Sequence, residues 1–249
     1  MATYLGTHGG KIQTYSTDPT YPNTGEVWYN STSNTIKMEA TTTAGSWATG
    51  GALNQFRDQA AGSGTVTSTL VFGGGPPNQD KTESYNGSNW TEVNDLNTAR
   101  RGIAGAGADN TSAVAFGGGS PGINNTETWN GTNWTEVNNL NTARYFLAGT
   151  GIITAALAYG GGDPNTGATE SWNGTNWTSV NSMNSGRAAP ISAGVQTSAV
   201  AAGGGSAVAV TELWNGTNWT EVNDLNTARV GAGGAGVSNT SAIAFGGSV

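Results

Sequence analysis

The chain of 249 residues contains no cysteine and one histidine, His8, and only 10% of its residues are charged. Without cysteine there is no disulfide, no thiolate metal site and no cysteine nucleophile. His8 lies outside the repeated part of the sequence, so we do not expect a histidine general base. Packing must therefore provide most of the stability.

Basic residues are scarce, since 9 Lys and Arg stand against 16 Asp and Glu, with a formal net charge of −7. Binding to nucleic-acid phosphates needs clustered cations, so no nucleic-acid partner is expected. The start of the chain, Met1 to Lys11, lacks the pattern of a signal peptide. No apolar run approaches the roughly 18–20 residues of a membrane-spanning helix, so no membrane insertion is expected.

Glycine and aromatic residues, by contrast, are abundant, with 40 Gly, 9 Trp, 7 Tyr and 5 Phe. This mixture is typical of many short β-strands joined by tight turns. One sequence motif, which begins at a Glu and ends at a Trp, recurs at intervals of 42–44 residues: Glu83 to Trp90, Glu127 to Trp134, Glu170 to Trp177 and Glu212 to Trp219. An interval of this size is typical of a repeat architecture.

For each motif, an apolar residue lies six positions after the closing Trp and an Arg lies ten positions after the same Trp. The same offsets from Trp47 lead to Leu53 and Arg57, which identifies a fifth, degenerate unit with Glu26 in the place of Glu83. The repeated residues are Arg57, Arg100, Arg144, Arg187 and Arg229; Glu26, Glu83, Glu127, Glu170 and Glu212; and Trp47, Trp90, Trp134, Trp177 and Trp219.

The repeated Arg and Glu residues allow two interpretations. In the first they are structural, and Arg–Glu pairs or Arg-to-carbonyl bonds tie the units together. In the second the five Arg form a cationic ring at one mouth of a channel, where forked donors bind a carboxylate or a phosphate.

We predict four strands per unit. Strand a begins at the Arg, strand b ends at a run of glycines, strand c carries the Glu, and strand d carries the closing Trp. Strands c and d are joined by Asn-Gly, which suits a tight turn. Four antiparallel strands form a propeller blade, with the Gly- and Ala-rich strand a innermost.

The order of the strands predicts how the ring closes. The chain supplies strands c and d of its first unit (Glu26 to Trp47) and only strands a and b of its last (Arg229 to Gly247). The predicted fold is therefore an all-β, five-bladed β-propeller over residues 26–249, closed by N-terminal plus C-terminal strands and leaving no free edge. Residues 1–25 are predicted to be an arm or anchor. As an alternative for the first unit, Thr35 to Glu39 pairs with Glu26 to Asn30 as an extra hairpin.

Gly-Gly at the end of strand b, an aromatic residue in strand c and Trp in strand d resemble the kelch family over residues 26–247, although kelch repeats are longer, at about 50 residues. The segments Lys11 to Pro19 and Gly25 to Thr32 resemble the beginning of virion proteins of marine bacteriophages. This second resemblance implies a particle component exposed on a tail or capsid, with other virion proteins, or a host-surface glycan or protein, as partners.

The connections between strands b and c differ between units while their flanks repeat, and variable loops on a rigid scaffold usually carry recognition. In kelch propellers these loops share a face with the d–a loops, so we predict the ligand face there. The candidate residues are Pro76, Asn78, Asp80, Lys81, Asn124, Asp163, Asn165 and Ser206.

The favoured function is a phage virion-associated structural or binding module, with no catalytic residues, metal site or cofactor predicted. The alternative is a glycan-binding propeller lectin, and a propeller hydrolase comes third.

Overall fold

A computed structural model of the chain describes residues 13–18, 27–38, 50–162 and 164–249. Within these residues all regular structure is β-strand. The chain divides into two compact units, residues 1–49 and residues 50–249.

The described residues of the N-terminal unit form a three-stranded sheet of β1 (Gln13–Tyr15), β2 (Val27–Asn30) and β3 (Thr35–Met38). Strand β2 pairs with β1 in parallel and with β3 as an antiparallel hairpin. This pairing matches the extra hairpin considered as an alternative for the first unit. The Asn30 side chain is buried, and it accepts the backbone N–H groups of Thr32 and Ser33 in the hairpin turn.

The second unit contains four sheets of four antiparallel strands, which we call blades 1 to 4. Blade 1 consists of β4 (Ala61–Thr65), β5 (Ser68–Phe72), β6 (Thr82–Tyr85) and β7 (Trp90–Val93). Blade 2 consists of β8 (Ala104–Asp109), β9 (Ser112–Phe116), β10 (Thr126–Trp129) and β11 (Trp134–Val137). Blade 3 consists of β12 (Ala148–Ile152), β13 (Ala155–Tyr159), β14 (Thr169–Trp172) and β15 (Trp177–Val180). Blade 4 consists of β16 (Ile191–Val195), β17 (Ser198–Ala202), β18 (Thr211–Trp214) and β19 (Trp219–Val222).

A two-stranded sheet, β20 (Val230–Ser238) and β21 (Ser241–Ser248), follows blade 4. The prediction of an all-β chain with four-stranded antiparallel blades is thus confirmed for four blades. The predicted pairing of N-terminal with C-terminal strands is not among the strand pairings of the described residues, in which β20 and β21 pair only with each other.

The connection between strands c and d follows the predicted turn chemistry. Gly87 has φ of 92°, and its counterparts in the other blades have φ of 90–93°. The Asn86 side chain accepts the backbone N–H groups of Ser88 and Asn89, each at 3.0 Å. Asn-Gly therefore provides both the left-handed residue and the acceptor that the turn needs.

The start of strand a was predicted wrongly. In blades 1 to 4 it begins four residues after the Arg instead of at the Arg. The reason is a left-handed residue two positions after each Arg, with φ of 47–57° at Gln59, Gly102, Phe146 and Ala189. Their backbones form a chain of hydrogen bonds between neighbouring blades, from Gly102 N to Gln59 O (2.9 Å), Phe146 N to Gly102 O (2.8 Å) and Ala189 N to Phe146 O (2.6 Å). In blades 1 to 4 this left-handed residue turns the chain before the regular strand begins.

The innermost strands surround a common space. A cavity of about 290 Å³ is lined by residues of β4, β8, β12, β16 and β20, most of them Gly, Ala or Ser. Small side chains let these strands approach one another, as the sequence predicted. Between the blades lie three clusters of buried apolar residues, each containing two Trp.

We expect Gly149→Ala to destabilise the chain, because its new Cβ would lie 2.5 Å from the Phe116 ring and 2.9 Å from the Gly105 carbonyl oxygen. Overpacking of this kind lowers the free energy of unfolding by about 1–3 kcal/mol, which urea denaturation measures. Gly62→Ala at the same repeat position is the control, since its nearest atom would be 3.5 Å away. Equal losses for the two variants would contradict the packing described here.

Candidate functional site

The repeated Arg and Glu residues form buried ion pairs within each complete blade. The Nη2 atom of Arg100 lies 2.8 Å from Glu127 Oε1, and that of Arg144 lies 3.0 Å from Glu170 Oε1. Arg187 Nη1 lies 2.7 Å from Glu212 Oε1, and Arg57 pairs with Glu83. All eight residues are at most 9% exposed.

Each of these Glu side chains also binds the loop that leads into its own blade. Glu127 Oε2 accepts the backbone N–H and the side-chain amide of Asn97, both at 2.8 Å. Asn97 lies between strand d of blade 1 and strand a of blade 2. The same two bonds recur from Asn54 to Glu83, from Asn141 to Glu170 and from Asn184 to Glu212. The carboxylate therefore fastens the crossover between blades as well as pairing with its Arg.

Burial changes the electrostatics of two of these arginines. Desolvation lowers the pKa of Arg100 and Arg144, while the charges of Glu127 and Glu170 oppose that shift. A guanidinium starts from so high a pKa that both side chains remain charged at neutral pH. Because these guanidinium groups are buried and already bound to carboxylates, Arg57, Arg100, Arg144 and Arg187 are not available to bind an anion from solvent.

The fifth arginine is in a different position. Arg229 is half-buried, and its Nη1 donates to the Gly246 carbonyl oxygen at 2.7 Å. Arg100 and Arg144 make the same bond to Gly117 and Gly160. Its expected carboxylate partner, Glu26, lies outside the described residues.

The strand-d tryptophans connect successive blades. The Nε1 atoms of Trp134, Trp177 and Trp219 each donate at 3.0 Å to a Thr hydroxyl of the preceding blade, namely Thr82, Thr126 and Thr169. Their rings lie 4.8–4.9 Å from Phe72, Phe116 and Tyr159 of that blade. Trp90 is half-buried and donates to the Gly51 carbonyl oxygen, and Trp47 lies outside the described residues.

The b–c and d–a loops lie on one face, as backbone hydrogen bonds between them show. Gly119 N donates to Arg101 O at 2.8 Å, and Gly162 N donates to Tyr145 O at 2.7 Å. Gly205 N donates to Ala188 O at 2.7 Å. In each case the last glycine of the run that follows strand b binds the residue that follows the repeated Arg.

The candidate ligand-face residues fall into two groups. Pro76, Asn78, Asn165 and Ser206 are exposed. Lys81, Asp80 and Asn124 are half-buried and support the scaffold. The Asp80 carbonyl oxygen accepts Leu96 N, and Asn124 Nδ2 donates to Leu140 O at 3.0 Å. Asp163 lies outside the described residues.

Lys81 is engaged by acidic neighbours. Its Nζ lies 2.6 Å from Asp95 Oδ2 and 3.5 Å from Glu92 Oε1. The hydrogen bond to Asp95 raises the pKa of Lys81 above its ordinary value. Two acidic side chains of the same blade therefore already bind the Lys81 ammonium group, which leaves it only partly available to a ligand.

Two exposed candidates lie at one groove. A depression of about 250 Å³ is lined by Asn165, Ser185, Arg187, Ser206 and Val208, among others. The b–c segment of blade 4, residues 206–210, is one residue shorter than residues 76–81 and 120–125 of blades 1 and 2. The sequence analysis did not select Ser185 and Val208 as candidate ligand-face residues. The shorter b–c segment of blade 4 was the feature of the sequence that distinguished this part of the loop face.

A second surface feature was also missed. Phe56, in the segment leading to Arg57, is 90% exposed. The residues that precede the other repeated arginines are Ala99, Ala143, Gly186 and Ala228. Phe56 thus gives the loop before blade 1 a large aromatic side chain, where the other units have Ala or Gly.

Among the described residues, no three His, Cys, Asp or Glu side chains come together as a metal site. The part of the chain that the structure describes also contains no helix long and apolar enough to cross a membrane.

Replacing Arg100 with Met should lower the free energy of unfolding by about 3–5 kcal/mol, because Glu127 would remain buried without its partner. The matched control is Arg101→Met, since the described residues provide no ion pair for the neighbouring Arg101. A surface change of that kind is expected to stay within about 0.5 kcal/mol. Similar effects of the two variants in urea unfolding would show that the buried pair is not needed.

Comparisons with known proteins support the architecture. No protein-family model matches this sequence, and no curated protein matches it either. A solved structure with a propeller-like fold, entitled "Structure of YjhT", superposes with a TM-score of 0.64 and 11% sequence identity. The match covers 78% of this chain and 74% of the other. Identity this low shows the fold alone, and together with the four-stranded antiparallel sheets it fits a β-propeller.

Proposed function

We propose that the chain is a five-bladed, kelch-type β-propeller whose last blade combines β20 and β21 with strands from residues 26–49. The observation that carries this proposal is the cavity lined equally by β4, β8, β12, β16 and β20. β20 thus takes the place of a fifth strand a. The bond from Arg229 to Gly246 repeats that from Arg100 to Gly117, so β21 takes the place of strand b.

Deleting residues 1–49 tests this closure. We expect the truncated chain to unfold at a lower urea concentration and to self-associate, because the edge of β21 and the apolar space beside it lose their cover. A deletion of residues 1–12, which leaves every described strand in place, serves as the control. A truncated chain that stays monomeric with an unchanged unfolding midpoint would rule out closure by this segment.

For its biological role, we propose a structural or binding module of a bacteriophage particle, on a tail or capsid surface, and not an enzyme. Two features support a binding role: the scaffold's buried charged groups are used in ion pairs, and the variable loops lie together on one face. The resemblance of Lys11 to Pro19 and Gly25 to Thr32 to marine phage virion proteins supports the location. Residues 1–25 would serve as the anchor, and the loop face would contact another virion protein or the host surface.

Mass spectrometry of purified particles, from a phage that encodes this chain, tests the location. We expect its peptides in the particle fraction after density-gradient purification, together with labelling of the particle by an antibody against the propeller. The major capsid protein serves as the positive control. Presence of the chain only in the lysate supernatant would contradict the proposed role.

A second candidate function, glycan binding, is favoured by the groove between the loops of blades 3 and 4. Its wall combines an exposed amide, Asn165, and an exposed hydroxyl, Ser206, with the apolar Val208. Carbohydrate sites combine polar groups and apolar surface in this way. On a glycan array we expect Asn165→Ala to weaken any bound signal at least tenfold, whereas Asn78→Ala in blade 1 leaves it unchanged. An array without signal for the parent chain would remove this candidate.

A further inference from the structure

The residue that follows each repeated Arg has a fixed backbone position and a variable side chain. In blades 1 to 4 its carbonyl oxygen accepts the N–H of the last glycine of the run after strand b, at 2.7–3.0 Å. The side chain changes from blade to blade, and the residues are Asp58, Arg101, Tyr145 and Ala188. A position on the loop face that the scaffold keeps constant while its chemistry changes is suited to recognition.

Arg101 differs from every other cation of residues 50–249. The others bind a carboxylate or a carbonyl oxygen: Arg57, Arg100, Arg144, Arg187, Lys81 and Arg229. Arg101 is half-buried, and within the described residues its guanidinium has no hydrogen bond, ion pair or ring contact. A guanidinium that is partly removed from water without a partner favours the binding of an anion.

Two half-buried aromatic side chains of blade 3 lie beside Arg101. Phe146 N donates to Gly102 O at 2.8 Å, and a Cβ atom added to Gly102 would lie 3.0 Å from Cδ1 of the Phe146 ring. The centroids of the Tyr145 and Phe146 rings are 5.0 Å apart, with the rings inclined at 45°. Arg101 directly precedes Gly102, and consecutive Cα atoms are about 3.8 Å apart, so its side chain can reach the Phe146 ring. The cation and the two rings therefore belong to one patch of the loop face.

Phe146 has a backbone conformation that bulky residues rarely adopt. Its φ is 52°, in the left-handed region, where blade 2 has Gly102. Such a conformation costs free energy and persists only where the surrounding structure imposes it. Ala189 of blade 4 takes the same conformation, with φ of 47°, so the fold itself needs no aromatic ring at this position. Strained residues cluster at functional sites, which favours a binding role for the Phe146 ring.

We propose that Arg101, Tyr145 and Phe146 form a binding site for a hexuronate residue of a glycan. The Arg101 guanidinium binds the sugar carboxylate as a forked donor, and the two rings contact the apolar face of the pyranose ring. The site adjoins the groove between blades 3 and 4, because Tyr145 O accepts the N–H of Gly162, three positions before Asn165. The inference rests on the proposed binding role of the loop face and names the class of glycan that it binds.

The charges of this face select a ligand with one carboxylate. Phosphate groups and acidic peptides are usually bound by clusters of arginines, whereas Arg101 is the one cation of residues 50–249 that has no partner among the described residues. Asp58, at the equivalent position of blade 1, is exposed and forms no ion pair in the described part of the chain, so it repels a dense polyanion. A sugar ring with a single carboxylate matches one guanidinium beside two aromatic rings.

An NMR titration of the full-length chain with a trisaccharide that ends in glucuronate tests the site. The methyl ester of the same trisaccharide is the matched probe, since it keeps the sugar ring and removes the charge. We expect the acid to bind about tenfold more tightly than the ester, and Arg101→Gln to abolish this difference. The control variant is Lys37→Gln, which removes the same charge from the N-terminal sheet and should leave the difference unchanged.

Two further variants, Tyr145→Ala and Phe146→Ala, remove the rings. Blade 4 has alanine at both positions, so we expect the variants to remain folded, which urea unfolding checks. Each should weaken the binding of acid and ester by the same factor, about two- to twelvefold, which corresponds to an aromatic contact. Loss of Arg101 should weaken the acid alone, so the two kinds of variant separate stacking from charge recognition.

Equal affinities of the parent chain for the acid and the ester, or no measurable binding of either, would overturn the inference. Tighter binding of a glutamate-rich peptide or of a phosphorylated trisaccharide than of the glucuronate probe, with the same dependence on Arg101, would assign the site to another ligand and overturn the hexuronate. Detection of the chain in purified particles does not depend on these titrations, so the proposed virion role and this site can fail separately.

Discussion

The buried carboxylates of four repeated glutamates make the interaction on which the rest of the described architecture depends: Glu83, Glu127, Glu170 and Glu212. An ionised carboxylate in a dry interior is tolerated only if its charge is paired and its lone pairs are used. Here one oxygen faces an Arg and the other accepts two N–H groups of an Asn in the incoming loop. The loop cannot shift without leaving a buried charge unsatisfied, so each blade is fixed relative to the one before it.

The tryptophans complete what the ion pairs begin. The Glu of each ion pair holds the loop that leads into its blade. The strand-d indole fills the space between that blade and the preceding one. An indole needs both an apolar wall and a hydrogen-bond acceptor, and the preceding blade supplies an aromatic ring and a Thr hydroxyl. Glu, Trp and Arg repeat because their side chains make the contacts between blades. The b–c loops contact the crossovers mainly through backbone groups, such as the Asp80 carbonyl oxygen that accepts Leu96 N, and such contacts tolerate changes of side chain.

Much of the scaffold could be predicted because the repeat unit occurs five times in the sequence. The spacing of the Trp residues predicted the blades, and Asn-Gly predicted the turns between strands c and d. The recurrence of Glu in step with Arg indicated that the two residues pair. The start of strand a could not be predicted, because the left-handed residue after each Arg is Gln59, Phe146 or Ala189 as well as glycine. No local propensity signals that conformation, which is maintained by hydrogen bonds to the neighbouring blade. The groove at Asn165 and Ser206 could not be predicted either, because it depends on how the loops of blades 3 and 4 are placed relative to each other.

Arg229 provides the most direct test of the proposed closure, because Glu26, the carboxylate proposed as its partner, lies far away in sequence. A crystal or cryo-EM density map of the purified full-length chain would place its side chain and count the blades. We expect five blades, with the Arg229 guanidinium within hydrogen-bonding distance of the Glu26 carboxylate. An open ring, another number of blades, or an Arg229 side chain facing solvent with Glu26 elsewhere would contradict it.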